Sequence, residues 1–145
     1  MKDLYLFAEL AGQRIALAAG SVDSVVRVSR ITPVPLAPSH VVGLAAIRSM
    51  VISVIDCRLA LGLPAADRGR EAIAVVVAID GHRYGLIVDR VDDVCAVHAE
   101  PVPIRSPLGE GWARAAIAML DHQDGSVLLI DAAGLVAGGA ASLAA

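Results

Sequence analysis

The chain has 145 residues, of which 57% are apolar, 19% charged and only 3% aromatic, with a formal net charge of −3. That length suits one domain or two very small lobes, and so apolar a composition excludes a disordered chain. The longest uninterrupted apolar run, Ala72–Ile79, is eight residues, too short for a membrane-spanning helix.

Glu9 breaks the apolar stretch at the N-terminus, which argues against a signal peptide. The negative balance makes nucleic acid a poor partner. Lys2 is the only lysine, so a phosphate-loop or Schiff-base lysine is excluded. Cys57 and Cys95 are too few and too far apart for a disulfide framework or a zinc site, and a reducing, cytoplasmic setting is expected.

In chain order, Leu4–Leu10 predicts an apolar strand, with a turn at Ala11-Gly12 and a return strand over Arg14–Ala18. Ser21 can cap one short helical turn that places Val22, Val25 and Val26 on one face. A third strand, Arg27–Ile31, ends at Pro33-Val34-Pro35. Proline lacks the donor that a central strand needs, so this segment is an edge or a crossover. Gly43–Arg48 and Met50–Asp56 predict two more strands, and a short helix after Asp56 stops at Gly62. The stretch Pro64–Arg70 carries proline and charge and suits a seam between lobes.

The same order then recurs. Ala72–Ile79 is followed by a turn at Asp80-Gly81 and a strand over Arg83–Val88. Asp89 can cap a helical turn bearing Val91 and Val94, and Ala96–Ala99 leads into Pro101-Val102-Pro103. Trp112–Leu120 and Val127–Asp131 are the last strands, with a short helix stopping at Gly138 and a small-residue tail over 138–145.

This recurrence is a repeat. At a shift of 69, Gly12 meets Gly81, Leu17 meets Leu86, Val22-Asp23 meets Val91-Asp92, and Val25 meets Val94. A shift of 70 pairs Ala45-Ala46-Ile47 with Ala115-Ala116-Ile117, and hence Arg48 with Ala118, and after an extra loop Val54-Ile55-Asp56 pairs with Leu129-Ile130-Asp131. Residues 4–62 and 73–137 therefore read as two copies of one unit within a single domain over 1–145. Five short, valine-rich strands per copy suit a small closed barrel. The predicted fold is all-β: two packed five-stranded barrels with short connecting helices.

No catalytic set emerges. His40, His82, His98 and His122 lack metal-ligand spacing and read as solvated loop histidines. Cys57 and Cys95 read as buried and inert. The adjacent Asp92 and Asp93 diverge, and Asp56 and Asp131 are placed to cap the helices after them. Arg48 interrupts the apolar stretch Val41–Ile55 and either snorkels to solvent or makes a specific contact. The residues favour a binding module that uses no cofactor and no metal.

Three runs in order carry a resemblance. They are Ile31-Thr32-Pro33-Val34-Pro35, then Val42-Gly43-Leu44-Ala45-Ala46-Ile47-Arg48, then Ile52-Ser53-Val54-Ile55-Asp56-Cys57-Arg58 with Leu61-Gly62-Leu63-Pro64. With Tyr84–Val91 of the second half, they closely resemble the CheW family of chemotaxis adaptors over about residues 4–137. The resemblance implies two packed SH3-like barrels and a non-enzymatic scaffold. It implies two partners: the cytoplasmic tip of a chemoreceptor, held in the groove between the barrels, and the regulatory domain of the chemotaxis histidine kinase. Membrane contact would be indirect, through receptors, and the length suits the free-standing adaptor.

Carried over by position, Val22, Gly43 and Arg48 fall on receptor-side positions, and Val25, Arg27 and Val28 lie near the kinase-facing region. The family's Asn-Leu-Arg-Gly reads Ala46-Ile47-Arg48-Ser49 here, and Ser24 stands where an acid is usual. Asp23 is then the expected partner of Arg48. The alternative implied by these departures is a degenerate relative that binds the kinase or dimerises without coupling receptors.

Overall fold

The computed structural model describes residues 3–65, 67, 71–98, 100–105, 107–122 and 125–138. Its strands are β1 (Asp3–Leu10), β2 (Gln13–Ala18), β3 (Val22–Val28), β4 (Val41–Ile47), β5 (Met50–Asp56), β6 (Ala72–Ile79), β7 (His82–Val88), β8 (Arg90–Val97), β9 (Ala116–His122) and β10 (Gly125–Ile130). Three short helices join them: α1 (Cys57–Ala60), α2 (Glu110–Ala115) and α3 (Ala132–Ala137).

The hairpin turns follow from backbone chemistry. Ala11-Gly12 and Asp80-Gly81 all take positive φ, the conformation that a two-residue hairpin turn with matching twist requires. Asp56 and Asp131 cap α1 and α3, accepting from the Leu59 and Ala133 amides at 3.1 and 3.2 Å.

The expected helical turns after Ser21 and Asp89 are absent among the described residues; β3 and β8 run as strands there. Valines at 22, 25 and 26 satisfy a helical spacing, but Ser24, Val26 and Val28 alternate with the exposed Val25 and Arg27 at the strand period. A single 3-10 turn at Ala19–Ser21 precedes β3, and the Ser21 hydroxyl donates back to the Ala18 carbonyl at 2.7 Å. These strands also end earlier than expected: β3 stops at Val28, and Ala99 lies outside the described residues. The first part of Trp112–Leu120 is α2. Alanines favour the helix, and a Cβ on Gly111 would lie 2.0 Å from the Leu61 carbonyl oxygen, so glycine lets α2 press against the chain after α1.

The two sheets do not correspond to the two halves of the chain. One has the order β8-β1-β2-β10-β9, the other β3-β6-β7-β5-β4. Replacing each strand by its counterpart five places along turns one order into the other. Each lobe therefore takes the first hairpin of one copy and the last three strands of the other. We call the first sheet lobe A and the second lobe B. The copies meet at the parallel pairs β2–β10 and β5–β7 and at the antiparallel pairs β1–β8 and β3–β6. Of the link 64–70, residues 66 and 68–70 lie outside the described residues; β5 before it and β6 after it both belong to lobe B.

Alternation within the strands builds three cores. Tyr5, Phe7, Leu120 and Leu129 fill lobe A, while Ile52, Val54, Ala74 and Val76 fill lobe B. The opposite faces of the same strands supply a third and larger cluster between the lobes, including Leu6, Ile15, Ile55, Val75, Leu86 and Leu128. The central strands are buried on both faces, which explains why they read as continuous apolar runs. α1, α2 and α3 close this inter-lobe core with Ala60, Ala115 and Leu135.

One polar staple crosses the same boundary. Asp89, between β7 and β8, accepts from Arg58 Nη2 at 2.8 Å and from the Ala11 amide at 2.8 Å. It thus ties the lobe B strand end and α1 to the lobe A hairpin turn. The Asp89 hydrogen bond, and then its charge, hold the Arg58 guanidinium further above its ordinary pKa.

Candidate functional site

The register of lobe B places the residues singled out above. One cross-strand row runs Val22, Val77, Tyr84, Ser53, Leu44 over all five strands. Val22 and Leu44 are its two ends. Val22 is half-buried against the inter-lobe core. The next row, on the opposite face, runs Ser24, Val76, Gly85, Val54, Gly43.

Gly43 is buried. A Cβ there would lie 2.2 Å from the Thr32 carbonyl oxygen. The glycine lets Thr32 exchange two backbone hydrogen bonds with Leu44, both 2.8 Å. This is how the Pro-Val-Pro segment starts as an edge bridge on β4.

Arg48 lies at the tip of the β4–β5 hairpin, exposed, with its backbone at φ 58°. Among the described residues it has no ion-pair partner. Asp23, the expected partner, instead accepts from Arg83 Nε at 3.0 Å. Asp23 is on β3 and Arg83 on β7, with β6 between them, whereas Arg48 is at the tip of the β4–β5 hairpin on the far side of the sheet order.

The structure brings together around Arg48 a set of side chains that the sequence reading passed over. Leu44 and Ala46 of β4 and Val51 of β5 are exposed on one sheet face, Val51 at 65%. Ser53 continues this face into a cleft of about 450 Å3 lined by Pro38, Val41, Ile55, Tyr84 and Val136. Leu36, fully exposed at φ 64°, projects from the loop that leaves Thr32. The signal was available in the alternation along Val41–Ile47 and Met50–Asp56, whose other face holds the buried Ala45, Ile52 and Val54.

The kinase-side residues lie on β3, an edge strand. Val25 and Arg27 point outward, whereas Val28 is buried in the lobe B core. The counterpart edge of lobe A exposes Val94, diagonal to the exposed Leu4.

Groups that could do chemistry are otherwise engaged. Burial, and then the charges of Asp56 and Asp89, push the Cys57 thiol far above its usual range. Asp92 pairs with Arg90 at 2.9 Å, and Asp93 accepts from the Val94 amide at 2.8 Å. His40 corrects the reading of solvated histidines: it is 3% exposed, with Nε2 2.7 Å from the Val136 carbonyl oxygen, so it ties α3 to lobe B. His122 packs edge-on against Phe7. Among the described residues no group of three or more His, Cys, Asp or Glu side chains is placed to hold a metal ion. No helix among them is long and apolar enough to cross a membrane.

Comparison with known proteins now decides the family. The sequence profile of the CheW-like domain matches residues 4–139. The chain belongs to that family. It is similar to the chemotaxis protein CheW of Rhizobium meliloti, 32% identical over 92 residues, covering 61% of this chain and 59% of that one. The chemotaxis protein CheW of Bacillus subtilis is 30% identical over 91 residues, covering 63% and 58%. The matched stretch thus spans less than two thirds of either relative. In three dimensions the chain superposes on the crystal structure of the scaffolding protein TtCheW from Thermoanaerobacter tengcongensis with a TM-score of 0.76 and 25% identity, covering 90% of each chain. The CheW-like domain here is thus a pair of strand-exchanged β lobes.

Proposed function

We propose that this CheW-like protein is a non-enzymatic, cytoplasmic chemotaxis adaptor that couples chemoreceptors to a histidine kinase. The observation that carries the reading is the exposed apolar strip of Leu44, Ala46 and Val51, continuous with the cleft at Ser53 and Tyr84 and ending at Arg48, which has no ion pair among the described residues. Such a strip suits the apolar face of a receptor-tip helix, with the guanidinium meeting an acid on its polar side. The outward Val25 and Arg27 of edge strand β3 supply the kinase-facing surface, with Val28 anchoring that strand in the lobe B core.

Pull-down and calorimetry with a receptor signalling tip and the kinase regulatory domain test the reading. Arg48→Glu and Val51→Asp should weaken receptor binding alone, and Val25→Asp should weaken kinase binding alone. Absence of binding to both partners at tens of micromolar would overturn it. A second reading is favoured by the Asp23–Arg83 pair, which leaves Arg48 without the acid that relatives place near it. On that reading the protein binds the kinase, or a second copy of itself, and ignores the receptor.

A further inference from the structure

Lobe A carries the counterpart of the open strip of lobe B, and there it is walled in. The pairs Leu44–Ser53 and Ala46–Val51 of one hairpin correspond to Met119–Leu128 and Asp121–Ser126 of the other, because Thr32 bridges Leu44 as Val102 bridges Met119. In lobe B the strip is open. In lobe A, Val102, Ile104, Arg105 and Leu108 stand over it and enclose a cleft of about 400 Å3. That volume is in the range of small-molecule sites.

The lining is divided. Met119, Leu128, Ile104 and Leu108 make an apolar floor and wall, where the half-buried Met119 supplies an adaptable surface. The polar groups are at counterparts of apolar ones: Asp121 for Ala46, Ser126 for Val51. The Ser126 hydroxyl donates to Asp121 Oδ1 at 3.1 Å, which partly satisfies that carboxylate. Arg105, on the loop wall, has no ion pair among the described residues.

We propose that this cleft binds a small amphipathic carboxylate, its chain on Met119 and Leu128 and its carboxylate on the Arg105 guanidinium. The fork of an arginine matches a carboxylate in two parallel hydrogen bonds. The site is separate from the strip on lobe B, so it stands whether or not that strip receives a receptor.

The test is a methyl NMR titration of the full chain with octanoate, octanol and octylammonium, each below its micelle threshold. Octanoate should shift the Met119 and Leu128 methyls saturably. Octanol should bind about tenfold more weakly, as expected for loss of one charge-assisted contact. Arg105→Ala should bring octanoate down to the level of octanol, and Asp121→Asn should tighten octanoate by removing a like charge. The proposal is overturned if octanoate gives no saturable shift, or if octanol or octylammonium binds as well. It is equally overturned if Arg105→Ala changes nothing, or if the shifts centre on Leu44 and Val51.

Discussion

Gly43 distinguishes a contact residue from a residue that builds the fold. In Gly43→Ala the new Cβ would lie 2.2 Å from the Thr32 carbonyl oxygen and 2.7 Å from its carbon, both backbone atoms that cannot rotate away. Either the 31–33 segment moves off β4 or β4 bends. Moving it off loses the two 2.8 Å bonds between Thr32 and Leu44, about 1 kcal/mol each. Residual overpacking adds about 1–3 kcal/mol. The expected loss is about 3–5 kcal/mol, a large share of the 5–15 kcal/mol that holds a typical domain. Urea unfolding followed by Trp112 fluorescence measures it, with binding of receptor tip and kinase domain assayed in parallel. Both partners should be lost together, in proportion to the unfolded fraction. A Gly43→Ala protein with an unchanged midpoint that has lost receptor binding alone would refute the reasoning and make Gly43 a contact residue.

Arg48→Glu should do the reverse, leaving the unfolding midpoint within about 0.5 kcal/mol, as for exposed sites without partners, while weakening receptor binding by calorimetry. His40→Ala should leave the Val136 carbonyl without its partner and cost about 1–3 kcal/mol, with hydrogen exchange faster in α3 than elsewhere. Cys57 should resist thiol reagents in the folded protein at neutral pH and react only on unfolding. Its folded pKa lies above the unfolded value, so its contribution is complete below the ordinary thiol range and declines as pH rises through it, because the unfolded thiol ionises first. Cys57→Ala should remove that alkaline slope in the urea midpoint. Asp89→Ala should free the Arg58 side chain and the Ala11 amide together, seen as faster exchange at the β1–β2 turn.

Local chemistry made the hairpins legible. The strands Met50–Asp56 and Ala72–Ile79 have the bounds expected of them, and both aspartate caps are in place. These features depend on residues a few positions apart. What depends on distant contacts was not legible. α2 forms where a strand was expected because Gly111 meets Leu61, some fifty positions away. His40 is buried because α3 lies over it. The repeat alignment was right at Val54-Ile55-Asp56 but displaced over Ala45–Arg48. The hairpin registers make Leu44 the counterpart of Met119, a shift of 75, where alanine matching had chosen 70. The added residues in the second copy accommodate α2. Arg48 therefore corresponds to position 123, outside the described residues, and not to Ala118. The candidate site was legible only at its tip: Arg48 stood out as a charge among apolar residues, whereas Leu44 and Val51 were hidden among residues of the same type.

The high apolar fraction follows from the strand exchange. A free-standing small barrel needs one buried face per strand and leaves the other polar. Here β1, β2, β6, β7 and β10 each spend one face on their own lobe and the other on the inter-lobe core. Lobe A cannot be completed without β8, β9 and β10 from the second copy, and lobe B cannot be completed without β3, β4 and β5 from the first. The space between the lobes is consequently packed with Leu6, Val75, Leu86 and their neighbours, and is not itself a vacant groove. Exposed apolar side chains at the sheet margins include Leu44 and Val51 beside Arg48, Val25 on β3, and Leu4 and Val94 on the opposite lobe. These patches lie on strands anchored by the shared core. A force on one lobe would therefore load the strands of both copies.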